Sequence, residues 1–63
     1  MYRLKLFSKH FGVDDKGPLH ATHEQAREAA RLMTLVYKGN IRVEIHKVVD
    51  LRLRKTEKLE ELS

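Results

Sequence analysis

Residues 22–46 read THEQAREAARLMTLVYKGNIRVEIH, and this stretch decides the fold. It holds one helix, one strand and a marked junction between them. Thr22 followed three residues later by Gln25 has the pattern of a capping box. In that motif the threonine hydroxyl accepts from the third helical amide and the glutamine side chain reaches back. Ala26, Ala29, Ala30, Met33, Val36 and Tyr37 recur at the i, i+3, i+4, i+7 spacing of an amphipathic helix. The early alanines are small enough to let a sheet approach closely. Gly39 and Asn40 both tolerate left-handed backbone and supply the stop. From Ile41 the period changes to two: Ile41, Val43 and Ile45 face one way, Arg42, Glu44 and His46 the other. A helix over 22–38 and a strand over 40–49 are therefore predicted.

Toward the N-terminus, Tyr2, Leu4 and Leu6 alternate with Arg3, Lys5 and Phe7, and the alternation carries on through Lys9 and Phe11. This predicts a half-buried strand over 1–11. Residues 12–21 carry Asp14, Asp15, Gly17 and Pro18 without any period, the signature of a loop. The residue before a proline avoids helical backbone, so no helix starts before Gly17. Toward the C-terminus, the odd positions stay apolar to Leu53 except at Lys47, which places a bend, bulge or turn between Lys47 and Asp50. Residues 50–63 fit two descriptions, a further short strand or a helical tail with Leu59 and Leu62 three apart. The predicted fold is α+β: one small domain over 1–63, a β-α-β(-β) sheet of two or three strands covered on one face by one helix. Strands joined through a helix are usually parallel, with a right-handed crossover.

A chain of 63 residues buries only about 60% of its unfolded surface. Domains of that size gain stability from disulfides, metals or association. There are no cysteines, so disulfides and thiolate zinc sites are excluded, and a homodimer or a partner-bound form is expected. Lys and Arg number 13 against 9 Asp and Glu, a formal net charge of +4. That balance favours nucleic acid or acidic protein surfaces as partners. Arg3, Lys5 and Lys9 interrupt every early apolar run, which leaves no signal-peptide core. No segment approaches the ~18 apolar residues of a membrane span. The segment LRLRKTEKLEEL is too poor in large apolar residues for a membrane-surface helix. A cytoplasmic protein without membrane contact is the expectation.

One helix can cover only one face of the sheet. The open face is expected to display Arg3, Lys5, Phe7, Lys9 and Phe11 from the first strand, Arg42, Glu44, His46 and Val48 from the second, and Arg52 and Arg54 beyond it. Cations can follow phosphates and aromatic rings can stack on exposed bases. Arg3, Lys5, Phe7, Lys9, Phe11, Arg42, His46, Arg52 and Arg54 are therefore the candidate binding residues for nucleic acid or a protein partner. His46 itself reads as a surface residue on its strand.

Catalysis and metal binding have less behind them. His20 and His23 form an H-x-x-H pair, with His10, Asp14 and Asp15 within reach on paper. Zinc needs three or four ligands in fixed geometry with oriented outer partners, and a junction of loop and helix satisfies such histidines with water or backbone. No metal and no cofactor are expected. Ser8 and Ser63 lack a nucleophile elbow, the acids have no reason to converge, and the glycines form no phosphate-binding loop. The expectation is a binding module, not an enzyme.

The segment T-H-E-Q-A-R-E-A-A, followed by Tyr37, Gly39 and V-E-I-H-K-V, resembles the small bacteriophage proteins that inhibit a host RNA polymerase. In that group a strand leads through a loop to a short capped helix with alanines four apart, then to a strand ending in basic residues. The resemblance implies binding and inhibition of a host enzyme by protein–protein contact. It carries no functional residue across.

Overall fold

A computed structural model describes residues 1–62. In chain order the elements are β1 (Tyr2–Ser8), β2 (Gly12–Asp14), β3 (Leu19–His20), α1 (His23–Val36), β4 (Arg42–Asp50) and β5 (Lys55–Leu62). The fold is α+β, an antiparallel sheet of five strands with one helix packed on it. The strands run in the order β2-β1-β4-β5, and β3 pairs with β1 beyond β2.

The strand count exceeds the expected two or three, and the sense of pairing differs too. β1 and β4 are antiparallel, with Leu4 opposite Ile45 and Leu6 opposite Val43, where a helix crossover predicts parallel strands. The cause lies in the segment read as a loop. After β1 the chain turns at Gly12, whose φ of 77° lies in the left-handed region. It then returns along the outer edge of β1, with Phe7 opposite Val13 and Arg3 opposite Leu19. This extra reversal delivers the helix start to the Tyr2 end of the sheet, where the Tyr2 and His23 rings stack at 5.5 Å. The helix runs back toward the Ser8 end, and β4 must then descend against β1.

Helix α1 starts where its capping residues specify. Thr22 accepts from the Gln25 amide at 3.1 Å. It ends in a Schellman motif: the Gly39 amide donates to the Thr34 carbonyl at 2.9 Å and the Lys38 amide to Leu35 at 3.1 Å. The left-handed residues there are Lys38 (φ 53°) and Gly39 (φ 78°), not Gly39 and Asn40. Ala26 and Ala30 are fully buried against Ile41, Val43 and Ile45, with Tyr2, Leu4, Leu6, Met33 and Leu62 packed around them. The methyl side chains of the two alanines let the helix lie close on the sheet. Full burial of a Val or Ile stabilises by roughly 1.5–3 kcal/mol, so Val43 and Ile45 anchor this layer. Val36 and Tyr37, expected on the buried stripe, are exposed. The helix has passed the end of the sheet by then.

Of the two descriptions of residues 50–63, the strand holds over 55–62 and the helical tail does not; Ser63 lies outside the described residues. Tertiary pairing overrides helix propensity here. Leu62 reaches the core, and Glu60 bonds His23 at 3.1 Å and Arg27 at 3.3 Å on the helix. Two register shifts make the fit. Leu59 is the extra residue between the Ile45–Glu60 and His46–Lys58 pairs, and Val49 the extra residue between Val48–Thr56 and Asp50–Lys55. The second shift lies in the expected Lys47–Asp50 region. Residues 51–54 form the turn, with the Asp50 carboxylate accepting from the Leu53 amide at 3.1 Å. No helix among the described residues is long and apolar enough to cross a membrane.

Candidate binding face

Alternation along β1 and β4 turns Arg3, Lys5 and Phe7 and their partners His46, Glu44 and Arg42 away from the helix, and cross-strand pairing sets them side by side. β5 adds Glu61 opposite Glu44, Lys58 opposite His46 and Thr56 opposite Val48. Among the described residues no element covers this face. The candidate residues fall into two groups upon it, with a third group off it.

At the end near the β1–β2 turn the charges are internally balanced. Glu44 is only 8% exposed. Its carboxylate meets Arg42 at 3.4 Å, Lys58 at 3.3 Å and the His46 ring at 2.9 Å. Glu61 meets Lys58 at 2.7 Å and Arg42 at 3.4 Å. Burial pushes the Glu44 carboxyl up, but the hydrogen bonds from His46 and Lys58 and the charges of Lys58 and Arg42 outweigh it and hold the group below its usual range. The Lys58 hydrogen bond likewise holds Glu61 down, and bonds to Glu61 and Glu44 hold Lys58 up. The Arg42 guanidinium lies over the Phe7 ring, 4.1 Å from its centre. The ring that was to stack on a base therefore already carries a cation on one face.

His46 is also 8% exposed, so it is a buried residue, not a surface one. Its neighbours explain the burial, since β1 and β5 flank it on both sides. An ionised carboxylate only accepts, so Nε2 donates to Glu44 and, in the neutral ring, Nδ1 accepts from the Thr56 hydroxyl at 3.0 Å.

At the opposite end the charges do not balance. Arg3, Lys5 and Arg54 surround a hollow of about 50 Å³ with His46, Thr56 and one acid, Asp15. Arg54 meets Asp15 at 3.5 Å, a long contact. Arg3 and Lys5 make no ion pair among the described residues, and the Arg3 Nε is buried without a hydrogen-bond partner there. Arg54 arrives from the hairpin turn in left-handed backbone, φ 54°. The strand phase named Arg54 for this face, and it lines the hollow, but it does so from the turn and not from a strand.

The remaining candidates lie elsewhere. β1 stops at Ser8, so Lys9 and Phe11 belong to the turn that follows. Phe11 packs on Tyr37 at the helix end, 6.0 Å between ring centres. Lys9 lines an open hollow of about 670 Å³ with His10, Val13 and Asn40. Arg52 is exposed in the β4–β5 turn. Sequence reasoning missed Lys58, Thr56, Glu61 and Asp15 as members of the face. Lys58, Thr56 and Glu61 became visible only once residues 55–62 were known to be a strand. His23 is held by Tyr2 and Glu60, and no three His, Asp or Glu side chains converge as a metal-holding set among the described residues.

Comparison of the chain with protein-family models, with curated proteins and with solved structures finds no match.

Proposed function

We propose that the protein is a non-enzymatic binding module that engages nucleic acid through the open face of its sheet, at the Arg3–Lys5–Arg54 end. The observation that carries this reading is the pair Arg3 and Lys5, two cations on an uncovered face that make no ion pair among the described residues, although Glu44 stands opposite Lys5 and is taken up by Arg42, Lys58 and His46. Cations already held by neighbouring carboxylates gain little from a phosphate, because one favourable contact replaces another. Unpaired ones gain the full charge-assisted contact and release counterions from the nucleic acid. The net charge of +4 supports the same partner through long-range attraction. Fluorescence-anisotropy titration of labelled single- and double-stranded DNA and RNA, at low and at physiological salt, tests it. Binding that persists at physiological salt with a preference for one form is the expected result. Binding confined to low salt and equal for all forms would reduce the charge to a generic effect and end this reading.

A second reading has its own observation. β5 pairs only with β4 among the described residues, so its other edge is free over eight residues. Beside it Arg31, Thr34, Leu35 and Leu62 line a groove. An extended segment can add to such an edge. This geometry favours a protein partner, either a second copy of the chain or a host enzyme of the kind bound by the phage inhibitors that the sequence resembles. A stoichiometric complex with one cellular enzyme that survives high salt would favour it over nucleic acid.

A further inference from the structure

The hollow at the cation-rich end has a more specific chemistry than a generic basic face, and the inference drawn from it rests on reading that face as the binding surface. Its volume of about 50 Å³ exceeds the roughly 30 Å³ share of one water in the liquid and suits one small tetrahedral oxyanion. Three cationic side chains line it against one carboxylate. The Arg3 Nε is a buried donor without a partner among the described residues. Leaving a donor of a charged group unsatisfied is costly, and no carboxylate among the described residues neutralises this guanidinium. Thr56 lines the hollow with its hydroxyl proton already given to His46 Nδ1, so the donors to an anion are the three cations.

We propose that this hollow is a subsite for a phosphate monoester, the terminal phosphate of a strand on the nucleic-acid reading. A monoester presents three terminal oxygens, one each for Arg3, Lys5 and Arg54, whereas a backbone diester presents two. The monoester also carries close to two negative charges at neutral pH, enough to compete with Asp15 for Arg54. Asp15 acts as the internal counter-ion that the phosphate displaces. This gives the proposal a signature that a purely structural cluster lacks: removing the Asp15 charge strengthens binding.

The experiment uses the full chain at physiological ionic strength. Amide chemical shifts are followed during titration with inorganic phosphate, and anisotropy compares two oligonucleotides of one sequence, 5′-phosphorylated and 5′-hydroxyl. Saturable phosphate shifts at Arg3, Lys5, Arg54 and Thr56 are expected, with the phosphorylated oligonucleotide roughly tenfold tighter, the scale of one charge-assisted contact. Asp15→Asn should tighten phosphate binding several-fold, and Arg54→Ala should abolish the preference. Both substitutions lie in the exposed loop and turn, and circular dichroism checks that the fold is kept. Absence of saturable phosphate shifts together with equal affinity for the two oligonucleotides overturns the subsite, while the nucleic-acid reading stands if both still bind. Saturable phosphate shifts without binding of either oligonucleotide uphold the subsite and remove nucleic acid as the partner. An unchanged phosphate affinity in both Asp15→Asn and Arg54→Ala also overturns it.

Discussion

The two ends of the open face carry similar cations in opposite electrostatic situations. Around Glu44, the cations Arg42 and Lys58 are held by two carboxylates, and Arg42 also covers Phe7. Around the small hollow, Arg3 and Lys5 stand side by side on β1 without an ion pair among the described residues, and Arg54 meets a single acid, Asp15, at 3.5 Å. Net charge does not separate these ends, and neither does the list of basic residues. Two acids do, Glu44 on β4 and Glu61 on β5. On the proposed reading, a basic residue on a strand is available to a partner only where neighbouring strands leave it unpaired.

Removing the hub of the balanced end should have the largest effect. Glu44→Ala strips His46, Lys58 and Arg42 of a nearly buried acceptor and should cost about 2–3 kcal/mol in urea unfolding, the order expected when one partner of a buried charged contact is lost. The same change leaves Arg42 and Lys58 with one carboxylate, Glu61, in place of two. Affinity for nucleic acid should rise even as stability falls, and the comparison breaks if both fall together in protein shown to be folded. Next in size is a contrast in binding. Arg3→Ala should weaken nucleic-acid affinity roughly tenfold, and Lys5→Ala should lower the salt slope by about one. Arg42→Ala should change affinity about twofold at most. Equal losses for Arg3→Ala and Arg42→Ala in anisotropy titrations would erase the distinction between the ends.

Acid should act on the Glu44 end. Glu44 and Glu61 have folded values below their ordinary 4.5. Their contribution to stability is therefore present above that value and is lost as pH falls through the depressed folded values. Lys58, raised above its ordinary 10.5, contributes fully below that value and loses its contribution as pH rises through the raised one. Thermal melts should fall at acid pH, and Glu44→Gln should blunt the fall. An equally steep fall in Glu44→Gln would move the acid sensitivity elsewhere. The smallest effect concerns Arg54. Arg54→Gly relieves left-handed backbone in the turn, so unfolding should shift by less than about 1 kcal/mol in either direction, while phosphate binding at the hollow disappears. Retained phosphate binding would take Arg54 out of the site.

Parts of this site were legible in the sequence. The period of two placed Arg3, Lys5, Arg42 and His46 on one face, because side-chain direction in a strand is a local property. Lys9 and Phe11 were assigned to that face by extending the period beyond Ser8. The chain turns there instead, and Phe11 finds Tyr37. Arg52 and Arg54 were assigned by phase across the Val49 shift and the turn, where phase is lost. Arg54 still reaches the face, through its left-handed backbone. His46 looked exposed because nothing in its own strand revealed that β5 would lie alongside.

The sequence by itself determined the helix and its capped start, the buried layer of Ala26, Ala30, Val43 and Ile45, and the outward direction of Arg3 and Lys5. Each of these follows from spacing within a few residues, where backbone geometry alone relates neighbours. Only the tertiary structure decided that β1 and β4 run antiparallel, that the KTEKLEEL segment is a strand, and which cations are paired. Those outcomes depend on register between segments far apart in the chain. Two single-residue shifts, at Leu59 and Val49, set which side chains oppose one another; the break in the apolar period at Lys47 signals the one at Val49, whereas the one at Leu59 depends on pairing with a strand far away in the chain.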